Sequence, residues 1–107
     1  MLLIENFTTA DLSDPQPGQV FAGRIEADLL GAPFRSGRLA ILRVLSPTDP
    51  IVIGCLYVLD EGDDVAIVRI QGLSPDLWVV DEFSGKAPYR RALSRRRWQP
   101  RASIVVA

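Results

Sequence analysis

The stretch Ile51-Val52-Ile53-Gly54-Cys55-Leu56-Tyr57-Val58-Leu59-Asp60-Glu61-Gly62-Asp63-Asp64-Val65-Ala66-Ile67-Val68-Arg69-Ile70 sets two nearly continuous apolar runs, Ile51 to Leu59 and Val65 to Ile70, around a polar interval. Runs this short and this rich in β-branched residues read as strands covered on both faces, or as strands lining a closed barrel. The interval Asp60 to Asp64 carries a glycine and short acids, which tolerate left-handed backbone angles, so the two runs read as a hairpin.

Outward from this hairpin the same texture continues. Leu39 to Leu45 is a third central strand, ended by the turn Ser46-Pro47-Thr48-Asp49-Pro50. From Val20 to Leu29, Phe21, Gly23, Ile25, Ala27 and Leu29 alternate with Ala22, Arg24, Glu26 and Asp28, the period of two of a strand with one wet face. Leu2 to Thr8 lies before a loop rich in proline and acids, Asp11 to Gly18, while Leu77 to Phe83 and Ser103 to Val106 extend the series downstream. In Pro88 to Arg97 the residues Tyr89, Ala92, Leu93 and Arg96 recur at spacings of three and four, which predicts one short helix. The expected fold is mostly β: a small twisted antiparallel sheet or partly closed barrel of about seven strands, with a short C-terminal helix over an open end. At 107 residues and 48% hydrophobic content, residues 1–107 are expected to form a single compact domain.

Charge is sorted along the chain. Seven of the twelve basic residues fall between Lys86 and Arg101, where there is no acid, and the other five share residues 1–85 with all thirteen carboxylates. The two segments therefore carry opposite formal charges of −8 and +7, and folding the basic segment back onto the acidic sheet edge would neutralise both. No run of eighteen apolar residues occurs, and Glu5 stands where a signal peptide would be basic, so a soluble cytosolic chain away from membranes is expected.

The chain contains no histidine, which removes the Ser-His-Asp and Cys-His arrangements and the commonest metal ligand. Cys55, the one cysteine, lies in an apolar run and reads as a small buried hydrophobe, not a nucleophile. No glycine-rich phosphate loop is present, the acids do not have calcium-loop spacing, and no cofactor is expected. The residues point first to a non-catalytic domain that binds a protein partner through an acidic rim of Asp60, Glu61, Asp63, Asp64, Asp81 and Glu82. The alternative is a small-barrel nucleic-acid binder that sets Arg90, Arg91, Arg95, Arg96 and Arg97 on phosphates and Tyr89 or Trp98 on bases. An enzyme using carboxylates alone is a third reading, requiring two of the acids to flank a cleft.

Pro17-Gly18-Gln19-Val20-Phe21-Ala22, followed by Gly37-Arg38-Leu39-Ala40-Ile41-Leu42-Arg43-Val44-Leu45, resembles the opening of the small bacterial immunity proteins of polymorphic toxin systems, the immunity-26-like group. Trp98 ahead of Ser103-Ile104-Val105-Val106 resembles the end of the same group. The resemblance implies a cytosolic inhibitor that neutralises a cognate toxin domain by covering its active site.

Overall fold

The computed structural model describes residues 16–25, 34–83 and 87–107. Seven strands form one antiparallel sheet: β1 (Val20–Arg24), β2 (Leu39–Val44), β3 (Leu56–Asp60), β4 (Val65–Leu73), β5 (Leu77–Phe83), β6 (Tyr89–Ser94) and β7 (Gln99–Val106). Their order is β1-β2-β7-β3-β4-β5-β6, and the sheet does not close into a barrel. Strands β3 to β6 follow one another as hairpins, after which β7 crosses back to lie between β2 and β3. The expected run Leu2 to Thr8 and the end of the run Val20 to Leu29 lie outside the described residues.

The central hairpin forms as the sequence predicts, with Leu56 to Asp60 paired against Val65 to Arg69 and Gly62 taking the left-handed φ of 102° in the turn. Its first arm starts five residues later than the apolar run does. Gly54, at φ 92°, turns the chain, and its N–H bonds to the carbonyl of Ile70 at 2.7 Å. Val52, Ile53 and Cys55 therefore sit in an exposed turn, and the expectation of a buried cysteine is corrected.

The predicted helix over Pro88 to Arg97 is also corrected. Tyr89 to Ser94 is strand β6, paired residue for residue with β5, and a tight turn over residues 95–97 leads to Trp98. The spacing that suggested a helix has no apolar stripe behind it, because Tyr89 and Ala92 are exposed and only Leu93 enters the core. A helix this short is marginal unless packing holds it, whereas the extended form gains a full ladder with β5.

The core changes faces across the sheet. On the first face Ala40, Leu42, Leu56, Val58, Ala102 and Ile104 pack with Ile25 and Phe34, and Phe34 meets the Phe83 ring edge-on at 5.1 Å. On the second face Tyr57, Leu59, Val68, Ile70, Trp78, Val80, Leu93 and Trp98 form another cluster. Leu56 to Leu59 and Ala66 to Val68 are buried without a break, so the middle of the sheet is covered on both sides. Among the described residues each flank is covered on only one side, by alternation along the strands, and the two flanks are covered on opposite sides.

Candidate functional site

Strand pairing brings the sequence's two opposite charge clusters together. The partners Asp81 and Arg90 face each other across β5 and β6, with Arg90 Nε donating to Asp81 Oδ1 at 2.9 Å and Gln71 Nε2 donating to Oδ2 at 2.8 Å. Chiefly because of the Arg90 hydrogen bond, the Asp81 carboxyl sits below its ordinary range. Glu82 accepts from Arg91 Nη1 at 2.8 Å and from the Tyr89 hydroxyl at 2.6 Å, and the bond to Glu82 raises the tyrosine's pKa. Arg97 reaches Glu61 at 3.3 Å, and Arg101 donates from Nε to Asp60 at 2.9 Å.

Four of the six residues expected to form an acidic rim, Asp60, Glu61, Asp81 and Glu82, are thus bound by arginines of the basic segment. Asp63 and Asp64 remain exposed in the hairpin turn, with no side-chain partner among the described residues. Of the alternative set, Arg90, Arg91, Arg97 and Tyr89 are engaged by the same carboxylates. Arg95 stacks over Trp78 at 4.3 Å from the ring centroid, and Trp98 is a buried lid whose carbonyl accepts from Trp78 Nε1 at 3.0 Å. Arg96 is exposed, and among the described residues only its backbone N–H makes a hydrogen bond, to Ser94 Oγ. Glu61 and Glu82 line one polar cleft of about 460 Å³ together with Asp64, and each of the two is held there by its own arginine.

Two rows that cross all seven strands show what the uncovered flanks expose. On the first face Phe21, Leu42, Ile104, Leu56, Arg69, Asp81 and Arg90 are consecutive partners, running from core into a charged ladder over β4, β5 and β6. On the second face Val20, Arg43, Ser103, Tyr57, Val68, Glu82 and Tyr89 are consecutive partners. Beside the start of that row Ala22, Ile41 and Val105 pair in line across β1, β2 and β7. Val20, Leu39 and Val105 are 55, 40 and 60% exposed, and with the exposed Ala22 and the half-buried Ile41 they form an aliphatic patch on the sheet surface. Arg24 and Arg43 stand at its margin, next to Leu39 and Val20 in the pairing.

Sequence reasoning did not find this patch. The alternation in β1 marks Ala22 and Arg24 as a wet face, and the run Leu39 to Leu45 reads as a strand covered on both faces or lining a closed barrel. The available signal was the pairing of a weakly polar wet face with a run that has no wet face at all.

Comparison with known proteins returns no family model, no curated protein and no solved structure that matches this chain.

Proposed function

We propose that this chain is a non-catalytic protein-binding domain and that its contact surface is the aliphatic patch of β1, β2 and β7. The observation that carries the reading is the row Ala22–Ile41–Val105, exposed at both ends and half-buried at Ile41, with the exposed Val20 and Leu39 beside it. Contiguous aliphatic surface rimmed by polar groups lowers its free energy by being covered, which is why such patches mark interfaces. Among the described residues the rim is cationic. Arg24 spends one donor on the Gly37 carbonyl at 2.8 Å, and Arg43 comes no nearer than 4.0 Å to Asp49. A second copy would bring arginines against arginines, whereas a different protein with an aliphatic contact ringed by carboxylates complements both features.

The resemblance to the immunity-26-like group gives this reading its most concrete form, a cytosolic inhibitor that covers the active site of a toxin. The pairing of Asp60, Glu61, Asp81 and Glu82 within the fold moves the favoured contact surface from the acidic rim to the aliphatic patch. The nucleic-acid alternative loses support from the same pairs, since each carboxylate offsets one of the cations that would displace counterions from a phosphate backbone.

Co-expression with the product of the adjacent gene tests the inhibitor form. The expected result is a stoichiometric complex that survives gel filtration and disappears when Leu39→Glu and Val105→Glu are combined. A complex unchanged by these substitutions removes the patch as contact surface. A domain that self-associates through the patch removes the choice of partner.

A further inference from the structure

A second surface, distinct from the aliphatic patch, lies where the loop after β2 faces the ends of β5 and β6. A cleft of about 590 Å³ opens there, within the range of small-ligand sites, with Leu45, Ile51, Leu73 and Trp78 among its apolar walls. Arg95 enters it. Four of the arginines from Arg90 to Arg101 are bound to carboxylates, but among the described residues Arg95 is held without one. Its backbone N–H donates to the Asp76 carbonyl at 2.9 Å, its Nη1 donates to the Ser74 carbonyl at 2.6 Å, and its guanidinium lies 4.3 Å from the centroid of the Trp78 ring. Those contacts fix the group in place, yet a guanidinium has five N–H donors and only one is used in a hydrogen bond among the described residues.

We propose that this cleft binds a carboxylate carried on an apolar body, with the carboxylate on Arg95 and the body against Leu45, Ile51 and Leu73. A half-buried cation resting on an aromatic face and lacking an anion gains a charge-assisted hydrogen bond when one arrives, and it is already oriented to do so. The other charged groups of the cleft are occupied. Arg101 is bound to Asp60, and Asp49 accepts from the Ser46 N–H at 2.8 Å and faces Arg43. Asp49 also sets the charge of the ligand: one carboxylate is balanced by Arg95, whereas a phosphate dianion would carry a second negative charge into a cleft that Asp49 also lines.

N-acetylphenylalanine, its uncharged amide and inorganic phosphate are the probes, followed by Trp fluorescence and calorimetry on the full chain. The acid is expected to saturate the site, and the amide to bind about tenfold more weakly for want of one charge-assisted bond. Arg95→Gln should reduce binding of the acid by a similar factor, while Arg96→Gln, outside the cleft, should leave it unchanged. If Arg95→Gln does not fold, the comparison of acid with amide on the unaltered protein decides alone. Equal binding of acid and amide, no saturation by about 10 mM, or equal competition by phosphate would overturn the proposal. Leu39 lies in the aliphatic patch and does not line the cleft, so Leu39→Glu should leave binding of the acid unchanged, and loss of binding in that variant would place the acid on the patch instead.

Discussion

Among the described residues the flank over β4, β5 and β6 and the flank over β1, β2 and β7 each leave one side of the sheet uncovered, and they finish it in opposite ways. The first places Arg69, Gln71, Asp81 and Arg90 on its open side, and these satisfy one another or the backbone: Gln71 and Arg90 both donate to Asp81, and Arg69 donates to the Gly54 carbonyl at 2.9 Å. The second places Val20, Ala22, Leu39, Ile41 and Val105 on its open side, where no partner among the described residues covers them. Ionic groups arranged in complementary rows need nothing from outside. Aliphatic groups in a row do, and this difference locates the proposed function.

Neighbouring residues of β7 give the strongest way to break the comparison. Ile104 is 4% exposed and packs in the first core, while Val105 points to the open side. Ile104→Glu should prevent folding, because an unpaired buried carboxylate costs more than about 4 kcal/mol. Circular dichroism would show it, and a folded Ile104→Glu protein would mean that the faces are wrongly assigned. Leu59, at 0% exposure in the doubly covered middle, should lose about 2 to 5 kcal/mol on truncation to alanine, measured by urea unfolding. Trp78→Phe removes both the hydrogen bond to the Trp98 carbonyl and most of the stacking with Arg95, with an expected loss of about 1 to 3 kcal/mol by the same assay. Val105→Glu should change stability by less than about 0.5 kcal/mol, in contrast with its neighbour.

The smallest effect belongs to the charged flank. Asp81 has its folded pKa lowered from 3.8, so its pairing stabilises the fold in full above that value and is lost as pH falls through the lower, folded value. The difference in urea midpoint between the natural protein and Asp81→Asn should therefore be constant near neutrality and shrink as pH drops below 3.8. A difference that stays level through this range would detach the Asp81–Arg90 contact from stability.

Much of the fold was legible because strand residues announce themselves locally. The runs at Leu77 to Phe83 and Val65 to Ile70 lie within strands at almost the same bounds, and the acid-glycine interval between Asp60 and Asp64 does turn the chain. The errors arose where local pattern and pairing disagree. Tyr89, Ala92 and Leu93 mimic a helical stripe, but β5 offers their backbone a ladder and their arginines two acids, neither visible from the segment alone. Gly54 interrupts an apolar run through its backbone angle, not its polarity. For the site, charge sorting foretold that the arginines would meet carboxylates, but not which acids remain outside the pairs. The aliphatic patch needed the register, because Ala22, Ile41 and Val105 are far apart in sequence and adjacent only through β1–β2 and β2–β7 pairing.

The affinity of the partner for two matched variants tests the central claim most directly. Val105→Glu places a charge on the aliphatic flank, and Ala92→Glu places the same charge at an exposed position on the ionic flank. Loss of partner binding by a hundredfold or more, about 3 kcal/mol, in Val105→Glu with unchanged binding in Ala92→Glu is the result this account predicts. Unchanged binding in Val105→Glu, with the loss appearing in Ala92→Glu, would contradict it.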